Sequence, residues 1–305
     1  MANMPIRVGI AKLTQSGDYV LDSLVEGSIA IEQGGLIEVL EKNGCIVQES
    51  KTAELTSEEQ MEYGARHLLG LASHHLSLIV ADHQRQNLFT IGLLPTCSGL
   101  MGMLAGFQMA GLDRKALKVG LVWLDAHGDI NTPETSLSGL LAGMPVAVAT
   151  GMCLERLRLK CGLEKALPTD HVIMLGVRDV DPLEQEIIDR NGIRQISVDE
   201  IREGSPIIEE EMSRLDSLTD LIYVHLDIDI LDPREVPGHG LTAEGGPTSD
   251  ELGRTLEVIF KSSRARGLGI AGYPVGKDPN GITMRAIHHL IEATINGLKH
   301  QAVIH

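Results

Sequence analysis

Two carboxylates and an imidazole stand at alternate positions in Asp125-Ala-His127-Gly-Asp129, directly behind the apolar run Val119 to Leu124. Carboxylate oxygens and imidazole nitrogens are the donors that hold divalent first-row cations. A strand sends every second side chain to one face, so Asp125, His127 and Asp129 are expected on one side of a strand end. A second stretch, Tyr223-Val-His225-Leu-Asp227-Ile-Asp229-Ile-Leu-Asp232-Pro233, repeats the pattern, with Asp227 and Asp229 sharing a face. Asp232, ahead of a proline, reads as turn chemistry. Buried carboxylates at this spacing raise one another's pKa unless something positive lies between the clusters, and a divalent metal supplies it. Four aspartates and one histidine suit Mn, Fe or Ni better than structural zinc, and they suffice for two ions with shared carboxylates. A strand end that is polar by accident accounts for one or two such residues and poorly for both clusters.

The elements that must position these groups alternate along the chain. Strands are expected at Ile6 to Leu13, Cys45 to Val47, Leu88 to Leu94, Lys118 to Leu124, His171 to Val177, Arg194 to Val198, Leu221 to Ile228 and Leu268 to Tyr273. Between them, helical patterns run over Leu21 to Lys42, Ser57 to Ala81, Gly99 to Ala110, Leu140 to Gly151, Pro182 to Arg190, Pro206 to Leu215, Ser249 to Ser262 and Ile282 to Lys299. That alternation predicts an α/β fold with a mainly parallel sheet of about eight strands, covered by helices on both faces. In such a sheet, ligands bind at the C-terminal edge of the strands, where both acidic clusters fall. No Pro/Gly/Ser linker divides the chain, so residues 1–305 read as a single domain.

Composition narrows the partners. With 43% hydrophobic and 22% charged residues and a mean hydropathy of +0.05, the chain has ample core for a soluble globular protein. It has neither a long uncharged apolar run nor a leader pattern at its start, so no membrane is expected and the default location is cytoplasmic. Cys45, Cys97, Cys153 and Cys161 show no zinc-ribbon spacing and read as free thiols. A net charge of −16 without a basic cluster argues against nucleic acid, and is compatible with a small cationic ligand.

Three ordered stretches give the chain a family resemblance. Asp125-Ala-His127-Gly-Asp129-Ile-Asn131-Thr-Pro, Gly176-Val-Arg178-Asp179-Val-Asp181-Pro-Leu-Glu184 and Asp227-Ile-Asp229-Ile-Leu-Asp232-Pro resemble the signatures of the arginase/agmatinase ureohydrolases, over roughly Gly27 to Leu298. The resemblance implies a three-layer αβα subunit, a homo-oligomer (trimer or hexamer), and one or two ions, with Mn2+ the usual metal. It implies that Asp125 and Asp227 bridge two metals, that His127 and Asp229 complete one site, and that Asp129 belongs to the other. A metal-bound hydroxide, held by Asp129, would attack the guanidino carbon. Asn131 and Ser138 match positions that hold an amino-acid carboxylate, and Asp181 one that holds an α-amino group. Each also has a plainer reading: Asn131 as a turn residue, and Ser138 as the N-cap of the next helix.

The departures from the family pattern are equally specific. Cys97, in Leu94-Pro-Thr-Cys97-Ser, stands where the family has a histidine ligand. At the mouth of a helix its thiol would have a lowered pKa and could ligate as thiolate, favouring a softer ion such as Ni2+ or Zn2+. Alternatively it packs as a small buried residue and ligates nothing. Ala142 replaces the family's proton-shuttling histidine, and Gly272 is the nearest equivalent of its guanidinium-pairing glutamate. A Thr-Cys-Ser turn with a missing shuttle resembles the branch that hydrolyses N-hydroxy-arginine, whose hydroxylated nitrogen is less basic and needs less protonation. Two readings follow: a metal-dependent hydrolase releasing urea or hydroxyurea from a small cationic guanidino or N-hydroxyguanidino substrate, and an inactive ureohydrolase fold kept for assembly or ligand binding. His239, on a loop, is a candidate for the missing proton donor, and Glu244 and Glu251 are candidates for lining the pocket.

Overall fold

A computed structural model describes residues 5–112 and 115–301. Among these residues the strands are β1 (Ile6–Leu13), β2 (Cys45–Ala53), β3 (Phe89–Leu94), β4 (Val119–Leu124), β5 (Val172–Leu175), β6 (Arg194–Ile196), β7 (Leu221–Asp227) and β8 (Ala265–Ala271). They form one eight-stranded sheet in the order β2-β1-β3-β8-β7-β4-β5-β6. Every neighbouring pair is parallel. Pleating sorts the side chains: Val8, Ile10, Val122, Leu124, Val224 and Leu226 enter one apolar layer, and Ala11, Leu13, Leu121, Trp123 and Tyr223 the other.

Helices cover both faces, as buried parallel sheets require. The first layer packs under α1 (Gly27–Ile31), α2 (Ile37–Lys42), α8 (Val198–Glu203), α9 (Ile207–Leu218), α10 (Ser249–Ile259) and α11 (Ile282–Gln301). The second packs under α3 (Ala65–Arg85), α4 (Leu100–Met109), α5 (Pro145–Ala149), α6 (Glu155–Lys160) and α7 (Pro182–Arg190). The expected three layers and parallel sheet are present.

Several boundaries differ from expectation for local reasons. The stretch Leu21 to Lys42 is broken into a 3-10 turn, α1, a π turn and α2, because Gly35 takes φ +104 inside the π turn. The helix expected over Ser57 to Ala81 starts at Ala65 instead: a separate 3-10 turn ends at Met61, with Glu62 extended behind it, and Gly64 at φ +101 is the N-cap of α3. The cap of α10 is Thr248 rather than Ser249, in a capping box with Glu251. The stretch Leu140 to Gly151 holds a 3-10 turn (Leu141–Gly143) and the short α5. β2 extends well past Val47 because it pairs with β1 along its whole length. Helices α6 and α8 were not expected from periodicity at all. α8 is a single capping-box unit, Ser197 with Glu200, too short to show an apolar repeat.

Sheet order brings the two acidic clusters together. The chain leaves β3 and crosses to β4, and the two central places between them are filled later by β7 and β8. Leu124 of β4 therefore sits beside Leu226 of β7, and Asp227 beside Ala271 of β8. The ends of β3, β8, β7 and β4 form one edge.

Candidate metal centre and substrate cleft

The first cluster does not owe its alternation to a pleat. β4 ends at Leu124, and Asp125, His127 and Asp129 lie in the loop beyond it, with Asp129 at φ +46. A loop tied from three sides does the positioning. Asp125 N–H donates to Leu175 O at 3.3 Å, and Ala126 O accepts from the N–H groups of Arg178 (2.9 Å) and Asp179 (3.0 Å). Trp123 Nε1 donates to His127 O at 3.1 Å. Glu184 binds the far end: one carboxylate oxygen accepts from Ile130 N at 2.9 Å, and the other from Asp181 N at 3.4 Å. Gly128 runs so close to Glu184 that a Cβ there would lie 3.0 Å from its Oε1. The second cluster ends β7 at Asp227 and continues in a 3-10 turn holding Asp229, whose N–H donates to Asp227 Oδ1 at 3.0 Å. Arg178 clamps that turn from outside the cleft, donating to the carbonyls of Asp229, Ala243 and Glu244.

These loops bring the expected donors together. His127 Nδ1 lies 3.1 Å from Asp229 Oδ2 and 3.3 Å from Asp125 Oδ1, joining the clusters. Cys97, at the start of the turn after β3, directs Sγ to Asp227 Oδ2 at 2.9 Å and to Asp125 Oδ2 at 3.6 Å. Donor atoms within 4.8 Å of one another form three groups: Cys97, Asp125 and Asp129; Asp125, His127 and Asp229; and Asp227, Asp229 and His239. Asp125 and Asp229 are the residues common to two groups, whereas the family pattern shares Asp125 and Asp227. His239, expected as a proton-donor candidate on a loop, adds an imidazole to the donor set. It comes near because Gly272, at φ +86, has no side chain: a Cβ there would lie 2.7 Å from Asp227 Oδ1 and 3.1 Å from His239 Nε2.

The electrostatics are those of a cation site. Burial, then repulsion from Asp229, pushes Asp227 up to about 6. Burial and the neighbouring carboxylates also raise Asp125, Asp129 and Asp229. Burial lowers the pKa of His127, but hydrogen bonds to Asp125 and Asp229 outweigh it and raise the imidazole to about 12. The Cys97 thiol moves opposite to expectation. Burial and then Asp227 and Asp125 drive it well above its ordinary value, outweighing the nearby helix terminus. Four buried carboxylates, two imidazoles and one sulfur around a common volume fit one or two divalent cations, whose charge would reverse each of these shifts.

A cleft of about 270 Å³ opens over this cluster. Its walls include Leu21, Leu24, Leu140 and Leu241, and its polar rim includes Asn131, Ser138, Asp179 and Asp181. Asn131 Nδ2 donates to Asp181 Oδ2 at 3.4 Å, so these two line the cleft as a pair. Ser138 is exposed at the mouth and accepts from Leu140 N at 3.2 Å, closing a turn rather than capping a helix. Ala142 and Gly272 face the cleft without functional groups. Glu244 is exposed and absent from the lining, and Glu251 is occupied in the α10 cap. Behind the cluster lies a residue that spacing did not single out. His225 is fully buried, stacked on Trp123 at 4.4 Å, with Nε2 3.3 Å from Cys97 Sγ. Its place in the β7 pattern reads as core, and only the pairing of β7 beside β4 reveals its neighbours.

Comparison with known proteins agrees with this geometry. The profile of the arginase family matches residues 103–296. An arginase of Bacillus caldovelox is 31% identical over 242 residues, covering 77% of this chain and 80% of its own length. One of Brevibacillus brevis is 30% identical over 239 residues, covering 76% and 78%. The solved structure of Bacillus subtilis arginase superposes with a TM-score of 0.82 at 25% identity, over 94% of this chain and 98% of that one. Formimidoylglutamase of the same species shares the fold, with a TM-score of 0.71 at 19% identity over 98% and 89% of the two chains.

Proposed function

The chain belongs to the arginase family, and from that premise we propose that it hydrolyses the guanidino carbon of a small amino-acid-like substrate, with an N-hydroxyguanidine preferred over a plain guanidine. The family assignment carries the coarser statement: this is a metal-dependent hydrolase of carbon–nitrogen bonds in linear amidines. The observation that carries the finer one is Ala142, which lines the cleft where the family pattern has a proton-shuttling histidine. A basic leaving nitrogen needs a proton to depart, and losing a general acid costs about 10²- to 10⁴-fold. An N-hydroxylated nitrogen is less basic and depends less on it.

In this reading Asp125, His127, Asp129, Asp227, Asp229 and Cys97 hold one or two divalent ions, Mn2+ foremost, with Ni2+ or Zn2+ favoured if Cys97 ligates. Bound there, the ions supply Lewis acidity and bring the pKa of water toward neutrality. The chain's own residues do the rest. Asp129, buried at the cluster, would hold the attacking water in place through its carboxylate. Asn131 and Ser138 bind the substrate's carboxylate, and Asp181 its α-amino group. Leu21, Leu24 and Leu140 form an apolar wall of the cleft against the substrate. The whole chain acts as one unit, expected as a cytoplasmic homo-oligomer.

The test is turnover of arginine, agmatine, guanidino acids and N-hydroxy-arginine by protein reconstituted with Mn2+, Ni2+ or Zn2+, with Asp125→Asn as control. Hydroxyurea release from N-hydroxy-arginine exceeding urea release from arginine supports the proposal, and the reverse ranking overturns the N-hydroxy preference. Silence on the whole panel at full metal occupancy favours a fold retained for assembly or binding.

A further inference from the structure

Buried behind Cys97 are two polar side chains that the reaction does not use. His225 Nε2 lies 3.3 Å from Cys97 Sγ, His225 Nδ1 lies 3.0 Å from Tyr223 Oη, and both side chains are fully buried. The imidazole lies flat on Trp123, at 4.4 Å and 7°. The hydroxyl of Tyr223 rests against Gly269, where a Cβ would lie only 1.8 Å from it, so that glycine keeps the phenol in place.

A ring whose nitrogens face a phenol and a thiol and whose plane lies on an indole has no charged group hydrogen-bonded to it and is neutral. A neutral imidazole carries one N–H, and counting hydrogens decides which nitrogen holds it. If Nδ1–H donated to Tyr223, Nε2 would have to take the thiol hydrogen. Cys97 Sγ, however, donates to Asp227 Oδ2 at 2.9 Å, so its hydrogen is already used. In the opposite sense every contact has its hydrogen: Tyr223 donates to Nδ1, Nε2–H donates to Sγ, and S–H donates to Asp227.

We propose that Tyr223 and His225 are positioning residues, a one-way buried hydrogen-bond relay that presents an N–H to Cys97 and holds its sulfur as an acceptor turned toward the carboxylate cluster. The relay answers a problem specific to this chain. A sulfur ringed by Asp125, Asp129 and Asp227 is repelled as an anion, and an N–H behind it offsets that repulsion once a cation takes the place of the thiol hydrogen. Outer partners of this kind typically change metal affinity by about 10- to 100-fold. The metal-binding consequence rests on the reading of Cys97 as a ligand, whereas the tautomer does not.

Two measurements separate these parts. In metal-free protein, nitrogen–proton correlation spectra of ring-labelled histidine are expected to show His225 with its hydrogen on Nε2, and Tyr223→Phe is expected to shift part of the population to Nδ1–H. An Nδ1–H tautomer in the unmodified protein overturns the relay. In Co2+-loaded protein, a sulfur-to-cobalt charge-transfer band is expected, lost in Cys97→Ser and displaced to longer wavelength in His225→Phe, which keeps the stack on Trp123 but removes the donor. His225→Phe is expected to bind Co2+ about 10- to 100-fold more weakly, and His225→Gln, whose amide N–H replaces Nε2–H, to recover most of that. A His225→Phe band and affinity equal to the unmodified protein's overturn the proposal. Absence of the band from the unmodified protein overturns ligation by Cys97 and with it the metal-binding half, while the tautomer still decides the relay.

Discussion

Asp227→Asn should make the metal-free protein more stable and the metal-loaded protein less so. Asp227 is 7% exposed, and burial with repulsion from Asp229 raises its carboxyl from 3.8 to about 6. At 1.36 kcal/mol per pKa unit, that shift is worth ~3 kcal/mol. The sign follows from which state holds the proton. The native carboxyl titrates above its unfolded value, so unfolding releases the proton in the window from 3.8 to about 6. The penalty on the native state is absent below that window and complete above it. Asparagine keeps the shape and an acceptor for Asp229 N–H but carries no charge. Metal-free Asp227→Asn is therefore expected to exceed the unmodified protein by up to ~3 kcal/mol near neutral pH, and the gap should close as pH falls to about 4. Urea unfolding followed by fluorescence of Trp123, the chain's one tryptophan, buried against this site, reads the difference. Adding Mn2+ to about 1,000 times its Kd stabilises the unmodified protein by ~4.1 kcal/mol, more than the metal-free gap, and should reverse the ranking. A metal-free variant less stable than its parent, or a gap unchanged with pH, refutes the claim that this site is built at a cost to the empty fold.

Three further substitutions probe separate supports. Gly272→Ala forces a side chain into a left-handed conformation, at roughly 1–2 kcal/mol, and drives a methyl against Asp227. Metal affinity measured by calorimetry should fall while the secondary structure seen by circular dichroism is kept. Glu184→Ala leaves the N–H groups of Ile130 and Asp181 without their acceptor, costing about 1–3 kcal/mol where they are buried. Because that loop carries Asp129, kcat should drop more than KM rises, and an unchanged kcat would show that the loop holds itself. Asp129→Asn should lose about 10²- to 10⁴-fold in turnover, well beyond the loss of metal seen by elemental analysis; a loss of metal in proportion to activity would limit Asp129 to ligation.

Much of the scaffold was legible because local patterns and tertiary structure agree. β1 and α7 match their expected bounds to the residue, since Ile6 to Leu13 is a bounded apolar run and Asp181-Pro-Leu-Glu184 is a complete helix-start signal. Boundaries failed where glycine conformation intervened, at Gly35 and Gly64, because whether a glycine takes positive φ depends on what packs around it. The donor set was legible by residue type and its geometry was not. Asp125, His127 and Asp129 do converge, but by loop hydrogen bonds to Leu175, Arg178 and Glu184 rather than by strand pleat.

By itself, then, the sequence determined the alternating α/β scaffold, the carboxylate-rich donor set and the absence of a side-chain donor at Ala142, since each is written in local residue order and type. The environment of those donors was decided only by the fold. His225 reaches Cys97 across 128 positions of chain, and His239 approaches Asp227 only because the β8 turn brings Gly272 beside both. The thiol's pKa changed direction for the same reason: a helix mouth is visible in a short stretch of sequence, whereas the burial that outweighs it, and the carboxylates that add to it, come with the packing of the β4 and β7 ends. Long-range strand pairing, which no local pattern encodes, sets which charges face one another, and those charges set the chemistry.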